Sequence, residues 1–255
     1  MTDINHAFEG VTAKDDSHVI QMTFDVAHQA YPKFVMAMKP EILASWDAFY
    51  QAYPDLQYAV RERATGIPVG ECCCIPLAWE PKMESLPKEG SEWALLKGID
   101  DYKRGLQPKT LAIISLSVIP TRQSQGLGEM QVRWAMEMAS SLGFKSLILA
   151  VRPTLKNLYP LTPIERYITW HDANGLPFDP WLRTIVRLGA EIVGICEESA
   201  TVIHTVAAWE ALTGMRFPES GDYVVPSALV PVTIDREQDQ GIYIEPNVWM
   251  TYQRA

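Results

Sequence analysis

Residues 122–129 have the types and the spacing that bind a phosphate group through the backbone. They read RQSQGLGE and join an apolar segment, LAIISLSV, to a segment whose apolar residues repeat at helical spacing. Because Gly126 and Gly128 have no Cβ atom, the backbone there can approach a ligand closely. The first amides of the helix that follows point outward, and the helix dipole adds partial positive charge. The pattern therefore predicts a diphosphate site where a strand meets a helix.

Two strands and one helix must position this loop. Thr110–Val118 is rich in Ile and Leu and is followed by Pro120, which is typical of a buried strand. Residues 129–142 carry an apolar stripe at helical spacing and end before a glycine, and Ser146–Val151 is a second apolar run. A strand, a helix and a second buried strand in this order predict a parallel strand–helix–strand unit.

The rest of the chain predicts one mixed domain. LQYAVRER and VGECCCIPLAW flank the turn signal ATGIP, which indicates an antiparallel hairpin. Further helices are expected at 40–50, 93–102, 179–188 and 205–212, and further strands at AEIVGICEE, DYVVPSALVPV and IYIEPNVWMTY. This mixed order is typical of an α/β or α+β fold built on one sheet. We interpret residues 1–255 as a single domain, with a flexible lead at 1–17 and a long loop at 152–178 over the acceptor side.

Charge and hydropathy exclude several classes of partner. The chain has 255 residues, a formal net charge of −9 and a pI of about 5.1. An acidic surface argues against nucleic acid or an anionic membrane as the main partner. No apolar run approaches the roughly 20 residues that span a bilayer, and the polar N-terminal segment lacks the features of a secretion signal. We therefore expect a soluble cytoplasmic protein.

The four cysteines do not predict a metal site. Cys72, Cys73 and Cys74 are consecutive, so on a strand they alternate between two faces, and Cys196 is distant in sequence. This spacing matches no zinc motif. We expect buried thiols that pack as small apolar groups, with a reactive thiol at Cys73 as the alternative. No metal cofactor is expected.

The glycine loop resembles the acyl-coenzyme A loop of the GCN5-related N-acetyltransferases, the GNAT superfamily. That loop has the pattern Q/R-x-x-G-x-G/A, which Gln123, Gly126 and Gly128 match, and LSVIP before it matches the usual lead-in L-x-V-x-P. DPWLRTIVRLGA at 179–190 is similar to a later helix of the family, and segments of the tail at 221–250 resemble a little-characterised bacterial subgroup. The alternative is an ordinary connection between a strand and a helix. The resemblance implies a GNAT-like α/β fold with a mixed, mostly antiparallel sheet and helices on both faces.

The same resemblance implies a function. It implies transfer of an acyl group from acetyl-CoA or another acyl-CoA to the nitrogen of a small-molecule amine, without a metal. The family pattern assigns acyl-CoA binding to Leu116, Ser117, Val118, Arg122, Gln123, Ser124, Gln125, Gly126, Leu127, Gly128 and Glu129. Pantetheine would follow the backbone of the first three residues, and the loop would carry the diphosphate. A backbone amide near Val118 would polarise the thioester carbonyl.

Acyl transfer to an amine also needs a group that accepts the proton of the amine. Many family members use a glutamate on the strand before the loop, but this strand has no acid. The nearest inferred carboxylate is Glu71 on the preceding strand, whose alternative interpretation is a solvent-facing residue. Ser115 and Ser117 share one face of their strand and are candidates for holding a water wire. The alternative for both serines is a hydrogen bond to the backbone.

The acid that protonates the thiolate departs from the family pattern. The position that usually holds a tyrosine is Ile185, which has no proton to give. Tyr159 and Tyr167 in the long loop are candidate substitutes, and packing as core aromatics is the alternative for both. We therefore take Glu71, Ser117 and Tyr159 as the catalytic candidates.

Two other functions fit the same resemblance. An acyl-carrier protein as donor would need a local basic docking patch, for which Arg152, Lys156 and Arg166 are candidates. A protein that binds an acyl-CoA as a sensor or scaffold, without catalysis, would fit the missing tyrosine. The sequence leaves open whether the chain forms a homodimer, which amine it uses and which acyl chain it transfers.

Overall fold

The computed structural model describes residues 4–80 and 86–253. The helices are α1 (Ile4–Ala7), α2 (Val19–Ala30), α3 (Lys33–Met36), α4 (Pro40–Ala52), α5 (Gly90–Lys103), α6 (Leu127–Ser141), α7 (Ile164–Tyr167), α8 (Pro180–Arg187) and α9 (Val206–Thr213). The strands are β1 (Phe8–Thr12), β2 (Gln57–Glu62), β3 (Pro68–Leu77), β4 (Thr110–Val118), β5 (Ser146–Val151), β6 (Glu191–His204), β7 (Gly221–Tyr223), β8 (Val232–Asp235) and β9 (Gln240–Gln253). Among the described helices, none combines the length and the apolar character of a membrane span.

The strands form one sheet with a parallel pair near its centre. Within the described residues, nine strands join in the order β1-β2-β3-β4-β5-β9-β8-β7, and β6 pairs with β9. β4 and β5 run parallel and are joined by α6, whereas the other described pairs are antiparallel. The predicted strand–helix–strand unit and the predicted mixed, mostly antiparallel sheet are confirmed.

The parallel pair opens toward its carboxyl end. β4 and β5 are in register from Thr110 opposite Ser146 to Ile113 opposite Leu149. Beyond that point β4 continues to Val118 and β5 to Val151 without pairing to each other. One edge of the second half of β4 is therefore left without a neighbouring strand, and a gap forms in the middle of the sheet.

A β-bulge sets the direction of the side chains in this half of β4. Cys73 on β3 lies opposite Ser115 and Cys74 lies opposite Ile113, so Ile114 is one residue in excess. An extra residue shifts the alternation of the strand by one position. As a result, the side chains of Ser115 and Ser117 lie on the same face of the sheet as the carboxylate of Glu71. Ser117 is directly opposite Glu71.

Helices cover both faces of the sheet, as predicted. On one face, α6 and α8 bury apolar residues such as Met130 and Leu182 in a shared core. On the other face, α4 and α5 bury residues such as Phe49 and Leu95 in a second core, which includes Trp249 of β9. Each such side chain stabilises the fold by roughly 1.5–3 kcal/mol on burial. The gap between β4 and β5 is therefore held by packed layers on both sides.

Several predicted elements agree with the structure. The predicted hairpin is β2 with β3, and the predicted bounds of β4 and β5 are those observed. α8 begins after Asp179, whose side chain accepts hydrogen bonds from the amides of Trp181 and Leu182. That arrangement is the expected N-cap, with Pro180 at the first helical position.

The single strand expected at 222–232 is wrong. The segment instead contributes to two short strands, β7 and β8, which pair with each other. Pro226 and Pro231 between them have no amide to donate to a ladder, and Ser227 adopts a positive φ of 69°. The chain therefore turns where a continuous strand was predicted.

The flexible lead expected at 1–17 is also wrong for part of its length. Phe8–Thr12 is an edge strand that pairs with β2, and Glu9 accepts hydrogen bonds at 2.7 Å from both Arg61 and Arg63. An open edge on β2 gives this segment a partner that the sequence does not reveal. Residues 1–3 lie outside the described residues.

Candidate functional site

A cavity of about 780 Å³ opens where β4 and β5 separate. Its loop side is lined by Gln123, Ser124, Gly126, Leu127, Gly128, Pro180, Trp181 and Thr184. Its helical side is lined by Phe24, Tyr31, Met38, Ile42, Trp46, Tyr50, Ser91, Glu92, Leu95, Ser199, Thr201, Glu245 and Asn247. Glu71 of β3 and Leu116, Ser117 and Val118 of β4 line the cavity as well. The gap in the sheet therefore brings the glycine loop and a buried carboxylate into one space.

The loop side presents backbone amides. Gly126 has a φ of 85° and is the N-cap of α6, and Met130 N donates to its carbonyl oxygen at 3.0 Å. That bond is the first of the helix, so the amides that precede Met130 have no helical acceptor. Ser124 also has a positive φ, 61°. The loop thus turns a series of amides toward the cavity, which is the geometry that binds a diphosphate.

Gly128 also allows a close contact between two helices. A Cβ atom at Gly128 would lie 3.0 Å from the ring of Trp181, the second residue of α8. Trp181 is held in turn by Asp179, which accepts from the amides of Trp181 at 3.0 Å and Leu155 at 2.8 Å and from the hydroxyl of Tyr167 at 2.8 Å. This buried carboxylate therefore fixes α8, the segment after β5 and the glycine loop to one another.

The free edge of β4 turns backbone groups into the gap. Ile119 N donates to Val69 O at 3.0 Å, so alternate residues, Leu116 and Val118, direct their backbone groups away from β3. The carbonyl of Leu116 accepts from Tyr31 Oη at 3.3 Å, and that of Val118 from Gln123 Nε2 at 3.1 Å. Both contacts agree with backbone groups that point away from β3. The backbone of this stretch therefore borders the cavity, and its binding of pantetheine stays a prediction.

The predicted acyl-CoA-binding residues line the cavity with one exception. Gln125 is exposed, is absent from the lining and donates through Nε2 to Thr121 O at 3.4 Å. Arg122 lines the cavity and also forms an ion pair with Glu62 at 2.5 Å. The roles of these residues in binding remain predictions, but their assembly around one cavity agrees with them.

Glu71 is the buried acid of the site. It is 1% exposed, and its Oε1 accepts from Ser115 Oγ at 2.8 Å and Ser117 Oγ at 2.7 Å. Burial raises the pKa of Glu71 to about 7, although both serine hydrogen bonds act in the opposite direction. The alternative of a solvent-facing residue is wrong. A carboxyl group with this pKa can accept a proton near neutral pH.

Tyr159 does not reach the cavity. Its ring packs edge-on against Trp170, with the ring centroids 4.9 Å apart, and it also contacts Tyr167 and Phe178. Neither Tyr159 nor Tyr167 is among the lining residues. The prediction that Tyr159 protonates the thiolate is therefore not supported, because its side chain is part of a separate aromatic cluster.

Tyr31 was missed by the sequence analysis. Unlike Tyr159, it lines the cavity. Its hydroxyl reaches the carbonyl of Leu116 at the free edge of β4. Burial raises the pKa of Tyr31 above its usual range, and the nearby Glu71 acts in the same direction. The hydroxyl is therefore protonated at neutral pH. Ile185 is fully buried, in keeping with the expectation that it supplies no acid.

Two of the three candidate docking cations are engaged inside the protein. Lys156 donates to the carbonyl oxygens of Tyr159 at 2.9 Å and Leu229 at 2.6 Å, and burial lowers its pKa to about 8. Arg152 donates through Nε to the carboxylate of Glu245 at 3.0 Å. These contacts remove both side chains from a surface patch, so a docking site for an acyl-carrier protein is not supported.

The cysteines are buried, as expected. Cys72 and Cys74 belong to one core and Cys73 and Cys196 to the other. Cys73 lines the cavity, but burial and then Glu71 raise its pKa well above the ordinary value. It is therefore a neutral thiol at physiological pH, which gives no support to a reactive role. Among the described residues, no group of side chains has the composition of a metal site.

Comparison with known proteins identifies the family. The model of the acetyltransferase (GNAT) family matches residues 39–162. A curated relative, the arginine N-acetyltransferase avaD of Aspergillus versicolor, is 30% identical, and the match covers 67% of this chain and 66% of that protein. The chain belongs to the GNAT acetyltransferase family. This membership supports the predicted enzyme class, an acyltransferase.

Solved structures of GNAT domains share the fold. The loading GNATL domain of CurA from Lyngbya majuscula is 14% identical, has a TM-score of 0.62, and is aligned over 96% of this chain and 97% of its own. The GphF GNAT-like decarboxylase in complex with isobutyryl-CoA is 14% identical, has a TM-score of 0.54, and is aligned over 96% and 98%. At this identity the likeness establishes the GNAT fold alone. The curated relative is fungal, so the predicted bacterial subgroup is not confirmed.

Proposed function

We propose that this GNAT protein is an acyl-CoA-dependent N-acyltransferase that acts on a small-molecule amine. The observation that carries the proposal is a buried carboxyl group, Glu71, in the same cavity as the glycine loop and the free edge of β4. The loop provides amides for a diphosphate, the strand edge provides backbone groups for pantetheine, and the carboxyl provides a base. These are the requirements of acyl transfer from a thioester to an amine.

Each group has one step in the proposed reaction. Glu71, once ionised, takes the proton of the attacking ammonium group, and the amine nitrogen forms a bond to the thioester carbon. A backbone amide near Val118 stabilises the negative charge that develops on the carbonyl oxygen. When the carbon–sulfur bond breaks, Tyr31 donates its proton to the thiolate. The nitrogen loses its second proton as the amide forms, and this proton restores the hydroxyl of Tyr31. Ser115 and Ser117 keep Glu71 in place and favour its ionised form.

The acceptor is proposed to be cationic. The lining of the cavity includes the carboxylates of Glu71, Glu92 and Glu245, of which Glu245 is paired with Arg152. An acidic cavity favours a basic substrate through its field. The curated relative is named for arginine, which supports arginine as the first acceptor to test. The assignment to a bacterial subgroup and the cytoplasmic location stay predictions.

Two measurements test the proposal. Native mass spectrometry with acetyl-, medium-chain and long-chain CoA thioesters should reveal a stoichiometric complex with at least one donor. A panel of amines, with arginine first, should then release free thiol, and the acylated amine should be found by mass spectrometry. Because burial raises the pKa of Glu71 to about 7, kcat/KM should increase with pH up to about 7 before it levels.

The same measurements separate the alternatives. Tight binding of an acyl-CoA without thiol release for any amine would favour a sensor or scaffold. Failure to bind any CoA thioester would contradict the proposed donor. An acyl-carrier protein as donor and a homodimer have no support in the structure or in the relatives, and they remain predictions.

A further inference from the structure

We infer that the helical side carries a subsite for a second, cationic group of the acceptor, such as a guanidinium, bound by Asn247 and Glu92 away from the nitrogen that is acylated. The inference rests on the proposed function, because it concerns the acceptor of that reaction. It assigns an acceptor with two nitrogen centres, one that reacts beside Glu71 and one that is only recognised.

Asn247 lines the cavity and contains a buried hydrogen-bond acceptor without a partner in the described part of the chain. The residue is 7% exposed, lines the cavity and lies next to Val248, where the pairing of β9 with β5 ends. Its Nδ2 donates to Ser199 Oγ at 2.9 Å, while its Oδ1 has no hydrogen-bond partner among the described residues. A buried carbonyl oxygen without a donor is unfavourable. An N–H group of a ligand would satisfy it.

Glu92 adds a negative charge on the same side of the cavity. It lies in the first turn of α5, and 22% of its side chain is exposed. Burial raises the pKa of Glu92, against the opposing effects of Lys39 and the amide of Thr201. Lys39 Nζ stays 4.0 Å from the carboxylate, which is outside hydrogen-bond distance. The carboxylate therefore keeps capacity for a ligand cation, which would also favour its ionised form.

The two residues belong to one surface because α5 packs against β6. Ser199, the partner of Asn247, and Thr201, whose amide donates to Glu92, are two positions apart on β6. Gly90 at the start of α5 allows this contact, since a Cβ atom there would overlap Ser199 Oγ. Glu92 and Asn247 thus line the same side of the cavity, and the carboxylate and the amide oxygen only accept hydrogen bonds.

This set of acceptors matches a donor-rich cation. A guanidinium carries five N–H donors and no acceptor, and its flat face stacks on aromatic rings. Trp46 of α4 lines the same side and offers such a ring. An anionic group would meet the negative charge of Glu92 here, and Arg152, a cation of the lining, is already paired with Glu245 at 3.0 Å.

The subsite is separate from the reacting centre but lies on the same face of the sheet. Glu71 and Cys73 are two positions apart on β3, as are Asn247 and Trp249 on β9, so the two members of each pair share a face. Cys73 and Trp249 belong to the same core, so both polar side chains lie on one face of the sheet. In the sheet order β4 and β5 stand between them, and the separated ends of these two strands border the cavity. A linear acceptor with cationic groups at both ends can place one beside Glu71 and the other beside Asn247.

Equilibrium binding of arginine and citrulline tests the inference. Citrulline has the same chain length as arginine but carries an uncharged urea in place of the guanidinium. We expect calorimetric titration into the CoA-saturated protein to give about 10- to 100-fold tighter binding of arginine. Glu92→Gln and Asn247→Leu should each remove most of this preference, and Asn247→Asp, which keeps an acceptor, should retain it. Asp100→Asn is the control, because it removes an exposed carboxylate from the same helix.

The outcomes separate this inference from the proposed function. Equal binding of arginine and citrulline, or a preference that survives both Glu92→Gln and Asn247→Leu, would overturn the subsite. A preference that depends on Glu92 without thiol release for any amine would keep the subsite and refute the transferase. Unchanged acyl-CoA affinity and thermal midpoint verify that a variant is folded. If Asn247→Leu fails this check, Glu92→Gln decides alone.

Discussion

The loop side and the helical side of the cavity are built in different ways. On the loop side, the groups proposed to bind the donor are backbone amides of one continuous stretch before Met130, in which Gly126 provides the turn. The helical side collects side chains from distant parts of the chain, including Tyr31, Glu92 and Asn247. The proposed donor site therefore uses groups that every residue has, and the proposed acceptor site uses groups that only particular residues have.

This difference indicates which of the two proposed binding sites is common to the family and which is specific to this chain. Backbone amides at a helix start bind the same diphosphate whatever side chains surround them, so one loop can serve many acyltransferases. Side chains gathered from several elements can change one at a time without disturbing the loop. We therefore expect the donor to follow from the family and the acceptor to be set by this chain's own residues.

The sharpest test of this division is Glu71→Gln. Because the amide cannot take the proton of the amine, kcat/KM should fall by about 10²- to 10⁴-fold while the affinity for the donor stays within about 2-fold. Thiol-release kinetics and calorimetry measure the two quantities. Glu191→Gln, an exposed change on β6, is the matched control. If the donor affinity fell by the same factor as kcat/KM, Glu71 would be assigned to donor binding. The division between a donor side and an acceptor side would then be wrong.

The same variant should gain stability in a defined pH window. The folded protein holds a proton on Glu71 up to about pH 7, whereas the unfolded chain loses it near 4.5. Stability of the wild type therefore decreases as pH increases through this window, by roughly 3 kcal/mol at most. Urea unfolding at pH 5, 6, 7 and 8 measures the free energy of unfolding of both proteins. The difference in favour of Glu71→Gln should increase up to about pH 7 and then stay constant. A constant difference across these pH values would contradict the raised pKa.

Gly126→Val should damage the loop side alone. Gly126 has a φ of 85°, which strains a β-branched residue, and distortion there should weaken acyl-CoA binding by about 10- to 100-fold. Gly143→Val is a matched control, because Gly143 has a φ of 77° just after the other end of α6 and a Cβ there meets no atom within 4 Å. Both variants should lower the thermal midpoint, and only Gly126→Val should lose the ligand. Similar affinities in the two variants would reject the loop as the donor site.

Tyr31→Phe should lower the rate less than Glu71→Gln does. A thiolate leaves readily without an acid, so we expect a decrease in kcat of about 10-fold, with KM for both substrates nearly unchanged. Tyr159→Phe should stay within about 2-fold of the wild type, since that ring lies outside the cavity lining. Steady-state kinetics on both variants compares the two candidate acids directly. A larger loss in Tyr159→Phe would restore the original assignment.

The sequence predicts the loop side well because its causes are local. Pro120 ends β4, two glycines turn the chain, and an apolar stripe begins α6, all within a short stretch. The position of Glu71 beside β4 could also be predicted. The turn signal ATGIP places β3 beside β2, and the order of the strands leaves β4 as the other neighbour of β3. Asp179 before Pro180 likewise identifies the start of α8.

The helical side could not be predicted because its residues meet only through the sheet. Asn247 lies in a segment correctly interpreted as a strand, but its place beside the end of β5 depends on register. Glu92 follows from a predicted helix, yet its contact with Thr201 depends on an irregular part of β6. Tyr31 follows α2, which has no side-chain cap. Its one signal was the helical spacing of the residues that α2 buries, Val19, Thr23, Val26 and Ala27.

The extra residue at Ile114 decides which side chains of β4 meet Glu71. If β4 paired without the bulge, Ile114 would lie opposite Cys73 and Leu116 opposite Glu71. Ser115 and Ser117 would then turn to the other face and leave the buried acid without its hydrogen bonds. A distant change that moved this half of β4 by one residue would therefore remove the polar partners of the acid without altering any residue that lines the cavity.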